Sequence, residues 1–209
     1  MMNAVAWLLV SYLLGAIPTS YLAGRWFRGI DLREHGSRNL GATNLYRVMG
    51  WKFAIPVGLC DVLKGTIPVL AFGPQVPTVP YFPLWCGVAA VTGHVFSVFV
   101  GFRGGKGVAT AAGMVLGLAP LAFPVIVAAW ALIVWLTGYV SLGSIVAAAL
   151  FPLADWLLHP ARRTGVTLVF DVSVASFVIW KHRENIGRLL SGKENRFGRR
   201  GHPRPAPPG

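Results

Sequence analysis

Seven apolar runs succeed one another along the chain, at 3–23, 53–72, 81–100, 108–119, 121–137, 141–158 and 166–180. Gly, Pro or charged clusters separate them. A helix rises 1.5 Å per residue, so about 20 mostly apolar residues cross a bilayer. Each run therefore predicts a membrane-spanning helix. The fourth is short and rich in Gly and Ala, and Pro120 divides it from the fifth. The expected fold class is an all-α integral membrane protein of seven transmembrane helices, with the residues able to do chemistry in loops at the cytoplasmic interface. Residues 1–195 form one membrane domain. Residues 196–209 form a basic, Pro/Gly-rich tail on the cytoplasmic side, which the composition predicts to be disordered.

Composition agrees. The chain is 55% hydrophobic with a mean hydropathy of +0.60, and 12% of its residues are charged, against about 25% in soluble domains. So much apolar surface does not fit one small core and must face lipid. The net charge is +12. Counting spans puts nearly every Lys and Arg on one side. Arg162 and Arg163 fall on the other side, and Lys64 lies within a span. That asymmetry orients the N-terminus outside and the C-terminus inside. The first run has no basic residue before it, and Arg25 and Arg28 follow it, the reverse of a secretory signal. The basic residues flank spans and line no soluble face, which excludes nucleic acid as a partner. Cys60 and Cys86 have neither pairing nor metal spacing and are expected to be small buried hydrophobes. No metal or other cofactor is expected.

Three polar stretches interrupt the apolar pattern, at 31–47, 93–110 and 181–194, and the span count places them on the same side. In the second, Gly104, Gly105 and Gly107 surround Lys106. Glycines let backbone N–H groups converge on an anion, Lys106 adds a charge, and the helix starting at Val108 would point its N-terminus at the same place. Val100 stands where a Walker A loop needs Gly, and Gly107 where it needs Ser or Thr, so this is a different phosphate loop. The first stretch supplies Ser37, Arg38, Asn39, Thr43, Asn44 and Arg47, a mixture of neutral hydrogen-bonding groups and guanidinium that suits a phosphate ester with hydroxyls. The third supplies His182 and Asn185, which share a face if helical, and Glu184, which is spaced to pair with Arg188. Asp61 and Lys64 are the only charges well inside a span; at i, i+3 they are expected to pair. Small residues in the fourth run, Ala109, Ala111, Ala112, Gly113 and Gly117, predict close helix packing. No His is followed by Asp across four residues, and no G-x-S-x-G is present.

GSRNLGATNLYR, GHVFSVFVGFRGGKGVAT and KHRENIGRL, in this order, resemble the three signatures of the bacterial acyl-phosphate-dependent glycerol-3-phosphate acyltransferases. GAIPTSYL in the first run and DVLKG in the second are also similar to that family, so the likeness runs from about Leu14 to Glu194. It implies a seven-helix protein of the bacterial inner membrane that moves a fatty acyl group from acyl phosphate to the 1-hydroxyl of sn-glycerol 3-phosphate. Its products would be lysophosphatidic acid and phosphate, in the first acylation of phospholipid synthesis. The partners implied are glycerol 3-phosphate, a long-chain acyl phosphate, membrane lipid and, transiently, the soluble enzyme that forms the acyl phosphate. Matched residue by residue, the implied catalytic groups are Ser37, Asn39, His182 and Asn185. Thr43, Asn44, Arg47, Gly104, Gly105, Lys106 and Gly107 would bind substrate. Arg38 departs from the family's usual Gly and Ser97 from its usual Pro, while Arg103 and Lys181 exchange the two basic types. The alternative from another class is a transporter of a phosphorylated solute. It would show polar groups near the midplane in two related halves, and the sequence has no convincing internal repeat.

Overall fold

The computed structural model describes residues 3–197, and it contains ten α-helices and no strand among them. They are α1 (Ala4–Ala16), α2 (Thr19–Arg28), α3 (Ala42–Met49), α4 (Trp51–Ile67), α5 (Phe82–Val95), α6 (Val108–Leu118), α7 (Ala122–Thr137), α8 (Val140–Leu158), α9 (Gly165–Lys181) and α10 (Arg183–Leu190). A π-helical turn (Pro68–Phe72) and a 3₁₀ turn (Gly73–Gln75) prolong α4, and another 3₁₀ turn (Val98–Val100) follows α5. The chain forms two compact units, Met1–Phe123 and Pro124–Gly209.

Three stretches, Trp51–Gln75, Phe82–Val100 and Val140–Leu158, are each long and apolar enough to cross a membrane. Two bent helix pairs, α1 with α2 and α9 with α10, raise that number to five if each is one span, while α6 and α7 are shorter apolar helices. Every predicted run is helical. The first differs in one respect: it breaks at Ile17–Pro18 and bends by 41°. Proline lacks an N–H and its ring crowds the preceding turn. The break withdraws the Ala16 and Ile17 carbonyls from the helical ladder, and side chains fill the gap. Ser97 Oγ donates to Ala16 O, and Lys64 Nζ donates to Ile17 O at 2.9 Å.

In the first unit, α1 packs on α5 and α4 on α6. Both seams are backbone against backbone; the small residues of the fourth run predicted the α4–α6 seam. A methyl group on Gly113 would lie 1.9 Å from Val62 O, and one on Gly65 would lie 2.0 Å from Thr110 O. Gly15 faces the Ala90 carbonyl and Gly93 the Tyr12 carbonyl just as closely. Lipid supplies no hydrophobic drive between helices, so such close approach is what holds them. Gly113→Ala is expected to destabilise the protein by about 1–3 kcal/mol, because the obstruction is backbone and cannot turn aside. A thermal melt in detergent would show it. The outer faces of this unit carry Leu59, Leu63 and Trp85, all exposed. Cys86 is buried as expected, whereas Cys60 lies on the exposed face of α4.

In the second unit α8 packs on α9, and α10 on both. Thr164 and Thr167 form a reciprocal capping box that starts α9. Asp155, buried near the end of α8, pairs with His159 at 2.9 Å and with Arg162 at 3.1 Å. Of the predicted tail, Arg196 and Phe197 are ordered against the turn after α7. Phe197 N donates to Gly138 O at 2.6 Å and Arg196 Nε to Tyr139 Oη at 3.1 Å. The rest of the tail lies outside the described residues.

Candidate active site

The first polar stretch is a loop held by its own side chains. Asp31, buried, accepts from Arg33 N, Nε and NH2, and Arg25 NH2 approaches at 3.3 Å. The Arg33 guanidinium is the main cause that holds the Asp31 carboxyl down at about 2. A depressed carboxyl stabilises the loop above its ordinary value near 3.8, and that contribution is lost only as pH falls through about 2. Farther along, Asn44 clasps the turn. Its Nδ2 donates to His35 O at 3.0 Å and Leu32 O at 3.3 Å, and its Oδ1 accepts from Ser37 N at 2.7 Å. Asn44 is 1% exposed, so its amide serves the loop, which leaves Ser37 exposed and Asn39 half-buried on the outer side of the turn. Thr43 and Arg47, both half-buried, stand at i, i+4 on α3 and share a face.

Arg38 has φ +60°, in the left-handed region that costs an L-residue about 1–2 kcal/mol. The family's usual glycine at this position has a backbone reason, and the Arg38 side chain is exposed. Arg38→Gly is expected to raise stability by up to about 1 kcal/mol, since glycine's larger unfolded-state entropy offsets part of the relief. Scanning calorimetry reads the sign directly. A lower melting temperature would mean that the arginine holds a partner worth more than the strain.

The glycine loop differs from the expected amide cradle. Gly104 N donates to Val95 O and Gly105 N to His94 O, each at 3.1 Å. Both amides are used inside the fold. Glycine is required there for close approach instead. A methyl group on Gly104 would lie 2.0 Å from His94 O, and one on Gly105 would lie 2.2 Å from His94 Nε2 and 3.0 Å from Leu40 O. Gly107, at φ +79°, caps the start of α6. Lys106, half-buried, is fixed between this turn and the pinned Gly105. The group able to meet an anion here is the lysine side chain, ahead of an α6 N-terminus whose partial positive charge adds to it.

In the second unit, His182 is the hinge residue between α9 and α10, which meet at 58°. It and Asn185 are therefore not on one continuous α9; His182 caps α10 and Asn185 lies in its first turn. His182 is buried, and Nδ1 lies 2.8 Å from Val178 O. A carbonyl only accepts, so Nδ1 carries the proton and Nε2 of the neutral ring carries the lone pair. Asn185 Nδ2 donates to Glu194 Oε1 at 2.7 Å, which fixes the orientation of its amide. Glu194 also accepts from Ser141 Oγ at 2.9 Å and from Arg188 Nε at 2.7 Å. Arg188 thus pairs with Glu194 and not with Glu184, the partner its spacing suggested. Burial pushes the Glu194 carboxyl up, and the hydrogen bonds from Asn185, Arg188 and Ser141 together outweigh it and hold the carboxyl below its ordinary value. Ser141 and Glu194 were not among the expected site residues; their 53-residue separation leaves no local signal. No group of His, Cys, Asp and Glu suited to a metal ion occurs among the described residues.

Comparison with known proteins covers nearly the whole chain. Residues 5–192 match the sequence model of the family described as glycerol-3-phosphate acyltransferase. The glycerol-3-phosphate acyltransferase of Chlorobaculum parvum is 45% identical, over 96% of this chain and 100% of its own. That of Chlorobaculum tepidum is 43% identical with the same coverage. Among solved structures, the glycerol 3-phosphate form of PlsY (YgiH), an integral membrane glycerol 3-phosphate acyltransferase, superposes with a TM-score of 0.85. It is 38% identical and covers 93% of this chain and 96% of its own. The lysophosphatidic acid form of the same enzyme gives 0.81 over 93% of this chain. With three signature stretches in order and this likeness across both units, the chain belongs to the glycerol-3-phosphate acyltransferase family.

Proposed function

We propose that this protein transfers a fatty acyl group from an acyl phosphate to the 1-hydroxyl of sn-glycerol 3-phosphate, giving lysophosphatidic acid and inorganic phosphate. The observation that carries the proposal is the 38% identity and TM-score of 0.85 to a structure determined in a glycerol 3-phosphate form. An acyl phosphate is an activated mixed anhydride with a good leaving group, so no covalent acyl-enzyme is needed. The glycerol oxygen attacks the acyl carbonyl carbon, and the carbon–oxygen bond to phosphate breaks. The hydroxyl proton passes to Nε2 of His182, whose Nδ1 is already engaged by Val178 O. Arg47 and Lys106 hold phosphate charge and offset the repulsion between two anionic reactants. Ser37, Asn39 and Asn185 orient the hydroxyl and the carbonyl oxygen, and Thr43 supports Arg47 on the face they share. Asn44, Gly104, Gly105 and Gly107 act by shaping the two loops. Positioning of this kind lowers the barrier by about 7–11 kcal/mol in favourable cases.

The charge asymmetry supports seven crossings of a bacterial inner membrane, with the N-terminus outside, the C-terminus in the cytoplasm and the three polar stretches on the cytoplasmic side. The acyl chain lies in the bilayer while its phosphate is held at the interface. Transient contact with the soluble enzyme that makes acyl phosphate belongs to the same proposal.

The test uses purified protein in lipid with glycerol 3-phosphate and either palmitoyl phosphate or palmitoyl-CoA, measuring lysophosphatidate and phosphate together. Equal amounts of both products, from palmitoyl phosphate alone, are expected. Product from palmitoyl-CoA alone would overturn the donor. Uptake of labelled glycerol 3-phosphate into proteoliposomes without acylation would replace the enzyme with a transporter.

A further inference from the structure

The Ile17–Pro18 break, the Asp61–Lys64 pair and His94 form one buried circuit that closes on both phosphate-side loops. Thr19 Oγ1 donates to Asp61 Oδ1 at 2.6 Å, and Lys64 Nζ lies 2.8 Å from the same oxygen and 2.9 Å from Ile17 O. His94 Nδ1 stands 3.8 Å from Asp61 Oδ1, beyond hydrogen-bond distance, so this link of the circuit is one of packing. On its other side the His94 ring abuts Gly105, where a methyl group would lie 2.2 Å from Nε2. The same methyl group would lie 3.0 Å from Leu40 O, and that carbonyl accepts from Ser20 Oγ at 2.8 Å. Ser20 follows Thr19, so the circuit returns to its start. Asp61, Lys64 and His94 are 1%, 4% and 7% exposed. A crevice beside Lys64 and His94 is lined also by Ile17, Thr19, Ser97 and Gly104.

Pairing Asp61 with Lys64 alone would need only those two side chains on one helix. Here each is turned to a second partner across the fold, and the circuit ends where the Leu40 turn meets Gly105. We infer that Thr19, Asp61, Lys64 and His94 are positioning residues for the acyl transfer. They fix the Leu40 turn against the Gly104–Lys106 loop and so set where Lys106 meets phosphate. This rests on the acyltransferase reading above. A buried ion pair replaced whole by neutral side chains of similar size is commonly tolerated, whereas removal of one partner is not. The informative variants are therefore the double D61N/K64M and the single Thr19→Val, which keeps shape and loses the donor.

The experiment combines two readouts on the full-length protein in lipid. Hydrogen exchange at the Gly104 and Gly105 amides reports the hold on the loop without any need for turnover. Steady-state kinetics with glycerol 3-phosphate and palmitoyl phosphate report its consequence. Expected for D61N/K64M and T19V are exchange at these amides at least tenfold faster and a KM for glycerol 3-phosphate at least tenfold higher, with kcat within threefold of wild type. Thr19→Ser, which restores the hydroxyl, is expected to return both readouts toward wild type. Variants that melt earlier yet keep wild-type exchange and KM would overturn the inference, since that is what a purely structural pair does. If wild-type protein turned over neither substrate, the acyltransferase reading would fail, and faster exchange in the variants would still support the hold on the loop.

Discussion

Lys106→Ala is expected to lower kcat/KM by about 10²–10³-fold while the protein stays folded. One preorganised donor on a charge-bearing oxygen, away from bulk water, contributes about that much. The turn itself is held by backbone groups. Gly107 caps α6 with its backbone, and the loop is pinned by the Gly104 and Gly105 amides. Where the loss appears identifies the phosphate concerned. A higher KM for glycerol 3-phosphate with kcat unchanged means uniform binding of that substrate's phosphate. A fall in kcat means that Lys106 meets charge developing on the departing phosphate. Lys106→Arg is expected to recover only part of the activity, because a planar fork does not replace a compact ammonium in a tight turn. Undiminished activity in the alanine variant would remove Lys106 from phosphate binding.

Glu194→Ala is expected to cost about 2–3 kcal/mol of stability, from two buried donors left without their acceptor, and most of the activity. The carboxylate is 3% exposed and joins Ser141, Asn185 and Arg188. Without it Arg188, 36% exposed, can turn to water, but Asn185 and Ser141 lose a charged acceptor in a buried place. Glu194→Gln should rescue part of the loss, because its amide oxygen can keep the bonds from Ser141 and Asn185 while its NH2 faces Arg188, which can turn to water. Thermal melts of the two variants beside wild type test this. The pH dependence gives an independent sign. A carboxyl held below its ordinary value of about 4.5 stabilises above that value and loses its contribution as pH falls through the depressed one. The wild type should thus lose stability as pH falls below about 4.5, and Glu194→Ala should lose less over that interval.

The sequence carries its helices openly and its hydrogen bonds poorly. Runs such as 81–100 and 141–158 end at Gly, Pro or charge, and the corresponding helices start and stop within a few residues of those marks. Pro18 was the exception. A span tolerates proline when other groups take up the freed carbonyls, and those groups, Lys64 and Ser97, are 47 and 81 residues away. At the candidate site the residue types were legible and their use was not. Asn44 has the composition of a substrate ligand, yet its amide is turned onto its own loop. Gly104 and Gly105 suggest an anion cradle, yet their amides bind carbonyls, and the bareness of Gly104 admits the His94 carbonyl and that of Gly105 the His94 ring. Glu194 was visible only as the last residue of a polar stretch, because Ser141 and Asn185 meet it through the fold.

The charged pair in α4 also bears on how such a chain is made. Synthesis and membrane insertion proceed from the N-terminus. When α4 reaches the bilayer, Asp61 and Lys64 already neutralise each other one turn apart, and their further partners, Thr19 and the Ile17 carbonyl, have been translated before them. His94 alone among the circuit's ionisable groups arrives later. The helix enters lipid as an internally compensated dipole whose docking groups are waiting, which removes the cost of parking a lone charge in hydrocarbon during biogenesis. Moving Lys64 one position closer to Asp61 would keep the composition but set the charges at i, i+2, where they no longer face each other, and the helix would enter lipid uncompensated.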